Sequence, residues 1–244
     1  MKIALVTCVW RRPIITEPFW YWTGLLRAWW QEAGITLTCV AAASTDEDQA
    51  LAEQYGARTI RHRNAPLGAK FNAALRAARE EHPDGVIIMG SDDFFCPTAA
   101  SVLAAYALRG QPVGFQDLYI GELRTKKVGY WPGYKPGPRY GEPAGCGTIH
   151  LRADLEAVGW TCWEDGQHRR MDLARFARLR KVGRLPSLIN LRALGAVGID
   201  VKSGENLWRY EQVQARNLSG PQAKRIWERV PYVFRDALPV QVAA

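Results

Sequence analysis

The sequence predicts an α/β protein built on a mostly parallel central sheet with helices on both faces. Strand-like and helix-like segments alternate four times within the first 110 residues, the order that builds a parallel sheet with crossover helices. The first strand is nearly continuous in apolar residues, as a strand covered on both faces must be. The chain has 244 residues and is 48% hydrophobic, enough for a sizeable core.

Residues 2–10 form that first strand, and Arg11, Arg12 and Pro13 end it. Residues 18–33 read as a helix. Phe19, Trp22, Leu26, Trp29 and Ala33 recur on one side at spacings of three and four, so these tryptophans read as core rather than as stacking platforms. Residues 35–44 are a second strand, after which Ser44 or Thr45 caps a helix with an acidic first turn. Residues 57–62 are a third strand, 63–82 a loop entering an Ala-rich helix, 85–90 a fourth strand and 97–110 another helix.

The second half differs. Nine of the eighteen residues from 130 to 147 are Gly or Pro and four are aromatic, which predicts an irregular loop long enough to bind or cover something. Residues 148–151 are strand-like and 153–159 a helical turn. Residues 171–183 form a basic helix closed by Gly183. Short strands and turns follow from residue 187.

Charge is unevenly placed. Residues 1–121 carry 11 Lys and Arg against 12 Asp and Glu, whereas residues 122–244 carry 21 against 12, so the whole net charge of +8 arises in the second half. That asymmetry fits a polyanionic partner or a solvated basic surface. No apolar run approaches the roughly 18 residues of a membrane span, which predicts no stable membrane insertion. The N-terminus reads as a strand and not as a signal peptide. Five cysteines without CxxC spacing predict reduced thiols, a cytoplasmic location and no zinc knuckle. A P-loop, a dinucleotide fingerprint and a GxSxG elbow are all missing. His62, His82, His150 and His168 form no metal-spaced pair.

One stretch resists a bland account. After the greasy fourth strand the chain reads Gly90-Ser91-Asp92-Asp93 and returns at once to Phe94 and Phe95. It is either an ordinary turn or a cation site at the carboxyl end of a parallel strand, where open α/β sheets bind ligands.

The order of motifs resembles the inverting, family 2-like nucleotide-sugar glycosyltransferases of the GT-A fold. The first strand running into Val9-Trp10-Arg11-Arg12 resembles that family's opening beside the nucleotide. Ser44-Thr45-Asp46 resembles its motif after strand two. Asn64, Gly68 and Asn72 match its loop-to-helix stretch, and Gly90-Ser91-Asp92 falls where the family has Asp-x-Asp. Residues 145–160 resemble its acceptor-side segment, and 169–183 the block in which an acid precedes a helix ending in Gly. The resemblance covers roughly residues 2–185. Residues 198–210 resemble a phage-type subgroup. Two departures stand out: Gly90 occupies the place of the first Asp, and Ala41–Ala43 end strand two where an Asp commonly reads uracil.

The resemblance implies a GT-A-like domain over residues 1–185, with the donor side in 1–121 and the acceptor side in 122–185. Residues 186–244 would be a C-terminal extension packed on it. It implies Thr7, Trp10, Arg11, Lys70, Asn72 and Asp92 around a nucleotide-sugar such as a UDP-sugar. It also implies Mn²⁺ or Mg²⁺ on Asp92 and Asp93, neutralising the leaving diphosphate. For Lys70 and Arg11 the other reading is a pair of solvated cations, and for Asn72 a helix cap or surface amide. Asp172 is the only acid among seven basic residues from Arg169 to Arg184. By motif it is the candidate general base, with Glu164 and Asp165 as rivals and a surface ion pair as the bland alternative.

The favoured function is an inverting, metal-dependent glycosyltransferase that modifies hydroxymethylated bases in DNA, in a host's cytoplasm if phage-encoded. Lys135, Arg139, Arg175 and Arg178 would meet the nucleic acid, because aromatic residues interleaved with cations suit it. The competing readings are a transferase acting on a polysaccharide, lipid-linked sugar or protein, and an inactive nucleic-acid-binding protein on a transferase fold.

Overall fold

The structure, a computed structural model, describes residues 1–204, 206, 209–213 and 215–229. Its first half follows the expected order: β1 (Lys2–Val9), α1 (Pro13–Glu32), β2 (Thr36–Ala43), α2 (Asp46–Gln54), β3 (Arg58–Arg61), α3 (Leu67–Glu80) and β4 (Gly85–Ile88). Helix α1 starts five residues before the expected position. Pro13 occupies its first turn, where N–H groups have no helical partner anyway, and Pro18 falls inside it. Thr45 caps α2, its side chain accepting from Asp48 N–H at 3.1 Å.

The chain continues through β5 (Asp93–Phe95), α4 (Pro97–Leu108), β6 (Val113–Phe115), β7 (Leu118–Glu122), β8 (Val128–Trp131), β9 (Thr148–Leu151), α5 (Arg152–Ala157), α6 (Met171–Lys181), β10 (Ser187–Ile189), β11 (Gly198–Lys202), β12 (Arg216–Asn217) and α7 (Gly220–Trp227). Seven strands form a central sheet in the order β10-β6-β9-β4-β1-β2-β3. β1 to β4 are parallel, and β9 runs antiparallel between β4 and β6. The expected fold class is therefore the one observed.

Both faces of this sheet are covered, and β1 shows how. Ile3 and Leu5 pack with Phe19, Trp22, Leu26 and Trp30 of α1 and Leu103 of α4. Ala4 and Val6 point the other way, toward Leu75 and Ala78 of α3 and Phe176 and Leu179 of α6. The period-2 alternation of a strand thus feeds two cores at once. Of the expected apolar side, Phe19, Trp22 and Leu26 are core, Trp29 is half-buried against it and Ala33 is exposed, while Trp30 is buried in addition. Trp22 Nε1 donates to Phe95 O at 3.1 Å and Trp30 Nε1 to Ala100 O at 3.0 Å.

A second, five-stranded sheet has the order β12-β8-β7-β11-β5. Short strands were expected after residue 187, but their assembly into a second sheet was not. Its strands are two to five residues long, too short for a periodic signal. β5 begins on Asp93, so the second aspartate of the puzzling stretch is a strand residue. β8 takes Tyr130 and Trp131 from the start of the expected loop. Residues of the expected extension enter both sheets, β10 beside β6 and β11 between β7 and β5. Residues 230–244 of that extension lie outside the described residues. Among the described residues no helix is long and apolar enough to cross a membrane. All five cysteines are free.

The parallel register sends the carboxyl ends of β1, β2 and β4 to one edge of the sheet, where a ligand cleft is expected. Asp117, between β6 and β7, is fully buried. It accepts from Leu191 N–H at 2.6 Å, Arg192 N–H at 3.0 Å and Tyr130 Oη at 3.0 Å, joining the segment after β10 to β8. Asp117→Ala strands these donors. We expect a loss of about 2–4 kcal/mol in unfolding free energy by urea titration, with the slope of the wild type.

Candidate active site

Lys70 stands in the first turn of α3 and is fully buried at the edge where the parallel strands end. Its Nζ donates to Val9 O at 2.6 Å, Ser44 Oγ at 2.6 Å and Asn64 Oδ1 at 3.2 Å. All three N–H groups are thereby used. Burial is the main force on this ammonium and lowers its pKa.

The Gly90–Asp93 stretch lies beside it. Asp92 Oδ2 accepts from Arg12 Nη1 at 3.3 Å and from Asn206 Nδ2, while Arg12 Nη2 holds Ser91 Oγ at 3.0 Å. Burial pushes the Asp92 carboxyl up, but Arg12 and Lys202 outweigh it and hold the pKa below the ordinary value. A side chain at position 90 would collide with Asp92 Oδ1, so the missing first aspartate of the motif makes room for the second. Asp93 turns inward, accepts from Gly90 N–H at 2.8 Å and lies opposite Asp200 in the β5–β11 pair. Burial, then Asp200 and Asp92, push its pKa well up. Asp200 is raised by burial, against the pull of Lys202, whose Nζ sits 2.5 Å from Asp200 Oδ2.

Two cavities open here. One, of about 390 Å³, is lined by Trp10, Arg12, Asn64, Lys70, Phe71 and Asp92, among others. The larger, about 810 Å³, is lined by Trp131, Tyr134, Lys135, Arg139 and Asp172, among others, with Arg169 and Arg170 on its wall. His168 and Lys202 line both.

Asp172 is on the first turn of α6, and its side chain is 43% exposed. Arg175, one turn on, lies 3.2 Å from Asp172 Oδ1 and reaches Gly145 O at 3.4 Å. Gly145 is pressed against the same carboxylate: a Cβ there would come within 2.6 Å of Asp172 Oδ2. The rivals stand elsewhere. Glu164 is 89% exposed and pairs with Arg178 at 3.6 Å, and Asp165 is held by Asn72 Nδ2 at 3.0 Å. Neither lines either cavity.

The remaining candidates divide. Trp10 is 45% exposed at the mouth of the smaller cavity. Thr7 is buried on β1 with its hydroxyl unpartnered. Arg11 is exposed; its N–H binds Asp48 at 2.9 Å, and Arg12 faces the cavity in its place. Asn72 is fully buried and spends its amide on the protein. It donates to Trp163 O at 2.8 Å and to Asp165, and accepts from Cys162 and Trp163 N–H. Lys135 is exposed on the wall of the larger cavity, whereas Arg139 stacks 3.8 Å over Tyr134 and bonds Glu142. Arg175 is buried against the Phe176 ring, inside the protein and away from any surface that a phosphate backbone would reach.

Sequence reasoning missed Arg12, His168, Asp200, Lys202 and Asn206. One signal was present: Asp200 and Lys202 are two apart on a strand and so share a face. The partner strand that carries them to Asp92 left no such mark.

These features define an α/β protein with a two-part polar cleft at the carboxyl edge of its parallel strands. No protein-family model matches the chain, and a search of curated proteins returns no relative. Several solved structures are similar. S. aureus TarS has 14% identity and a TM-score of 0.49, the match covering 93% of this chain and 42% of that one. A CMP:2-keto-3-deoxy-manno-octonic acid synthetase complexed with CTP has 13% identity and a TM-score of 0.41, covering 83% and 90%. A Drosophila β-1,4-galactosyltransferase 7 mutant in complex with manganese, UDP-Gal and xylobiose has 14% identity and a TM-score of 0.45, covering 77% and 64%. The chain thus spans less than half the length of the TarS chain it matches.

Gly145→Ala should displace the Asp172 carboxylate while leaving both cores untouched. A melting temperature close to wild type, with altered backbone chemical shifts confined to the first turn of α6, is the expected result.

Proposed function

We propose that this chain is a GT-A-like glycosyltransferase that moves a sugar from a nucleotide-sugar to a hydroxyl on a polyanionic acceptor. The observation that carries this reading is the meeting of two cavities at one wall. Cations line the smaller cavity, and a half-exposed carboxylate faces the larger one.

In this reading the donor occupies the smaller cavity. Trp10 offers an exposed ring for the base to stack on. Arg12, which commits only part of its donor fork to Asp92 and Ser91, has N–H groups left for a phosphate. Lys70 acts differently, because its three donors are taken. It contributes charge and fixes the rim on which the diphosphate lies.

A divalent cation fits these residues only in part. Asp92 offers a carboxylate and Asp200 Oδ1 is buried without a hydrogen-bond partner, but Asp93 points inward. Among the described residues no group of three His, Cys, Asp or Glu could hold a metal. The set suits Mg²⁺ or Mn²⁺ that takes most of its ligands from phosphate and water. When bound on Asp92, such an ion would supply Lewis-acid stabilisation of the diphosphate.

The acceptor occupies the larger cavity with its hydroxyl at Asp172. Arg175 and Gly145 orient that carboxylate. Asp172 takes the hydroxyl proton while the oxygen attacks the anomeric carbon from the face opposite the diphosphate. The bond from that carbon to the phosphate oxygen breaks, and its electron pair leaves with the nucleoside diphosphate. The acceptor we favour is DNA bearing hydroxymethylated bases. Lys135, Arg169 and Arg170 give the cavity a cationic rim, and Trp131 and Tyr134 offer rings to a base withdrawn from the duplex. The same rings, 4.9 Å apart, also suit a saccharide, which is the second reading.

Incubation with a panel of nucleotide-sugars and hydroxymethylated DNA, followed by mass spectrometry, tests the reading directly; a mass gain of one sugar residue per modified base is expected. Asp172→Asn should cut kcat by about 10²–10⁴-fold with donor binding retained, whereas Glu164→Gln should leave kcat unchanged. DNA affinity should fall with salt at a slope of about 0.9 per phosphate contact. Lys135→Ala should flatten that slope, and an affinity indifferent to salt would favour the saccharide acceptor.

A further inference from the structure

We propose that Lys202 is the cation that meets the departing diphosphate at the point where the glycosidic bond breaks. This rests on the transferase reading and adds to it a residue from β11, a strand outside the donor half of the sequence. Three observations converge on it.

The first is position. A group transfer between two cavities happens where they join, and His168 and Lys202 are the residues that line both. Lys202 enters the join from β11, which lies between β5, the strand that follows Asp92 of the smaller cavity, and β7, whose Leu118 and Ile120 line the larger.

The second is donor capacity, which separates the two buried lysines. The Lys70 ammonium has given all three N–H groups to Val9, Ser44 and Asn64. Lys202 Nζ bonds Asp200 Oδ2 at 2.5 Å, and an ammonium has three donors. Among the described residues Nζ has no second acceptor, which leaves two N–H groups for the oxygens of a ligand.

The third is fixation. Lys202 is 6% exposed, and its ammonium is pinned by Asp200, the carboxylate two residues back on the same strand face. A donor held in place before the reaction stabilises developing charge without reorganising during it. Lys202 donates hydrogen bonds and transfers no proton: the electron pair of the broken bond rests on the phosphate oxygen, and the nucleoside diphosphate leaves as an anion.

The test measures nucleotide binding apart from turnover. UDP, GDP, CDP and ADP are titrated calorimetrically, once in EDTA and once in Mn²⁺, into wild type, Lys202→Arg, and the double variant Asp200→Asn with Lys202→Met. The double variant removes the pair without leaving a buried charge unpaired. Transfer kinetics are then measured with whichever donor is used. Wild type should bind one of the four nucleotides. The double variant should bind it about tenfold or more weakly and lose about 10²–10³-fold in kcat, while Lys202→Arg keeps most of both. Should the double variant fail to fold, Lys202→Gln is read against the same expectations. A folded neutral variant with wild-type binding and kcat overturns the role of Lys202 and leaves the transferase reading standing. A wild type that binds none of the nucleotides in either condition overturns both.

Discussion

A single buried ammonium holds the working edge of this protein together. Lys70 reaches from α3 to the last carbonyl of β1, to the hydroxyl that follows β2 and to the amide of the loop before its own helix. Each of these groups belongs to a chain segment leaving the sheet, where regular hydrogen bonding stops. Without a shared donor, the exits of β1 and β2 and the approach to α3 would have to satisfy their polar groups separately with water. With it, the three segments are set at fixed spacing, and the smaller cavity inherits its shape from them. Desolvating a charge is costly, and the three short contacts offset that cost.

Crowding performs the same task for the carboxylates. Asp92 fits because position 90 has no side chain, and Asp172 is pressed by Gly145 from the opposite direction. In both places a glycine lets backbone approach a charged group closely, and an arginine secures the carboxylate from the other side: Arg12 for Asp92, Arg175 for Asp172. The two carboxylates are built alike although one follows a strand and the other opens a helix, and they line different cavities.

How much of this the sequence revealed depends on the length of the elements involved. β1, β2 and helices α1 to α4 carry eight to twenty residues each, long enough for their apolar spacing to declare itself. The parallel sheet and the cores on its two faces were therefore legible, as was the placement of Asp92 at a strand exit. The second sheet was not, because its strands are short and β11 and β12 pair with strands 80 to 107 positions earlier. That is why Asp200, Lys202 and Asn206 could not be brought to Asp92 in advance. Residue identity also misled where chemistry was ambiguous. Asn72 and Arg175 have the right functional groups for a ligand, but burial turns both toward the protein's own backbone and side chains. A helical position states which face a residue occupies; it does not state whether that face meets a cavity or another segment.

Asn72 has a consequence of a different kind. It sits two residues after Lys70 on α3, and its amide grips the backbone of Cys162 and Trp163 together with the Asp165 carboxylate. That segment leads directly into α6 and Asp172. The helix that shapes one cavity is therefore bolted to the strap that aims the carboxylate of the other. Recombination between related chains is constrained accordingly: a crossover between α3 and residue 162 separates the bolt from its seat. The two halves of the cleft are inherited as one cassette, even though some ninety residues of sequence lie between them.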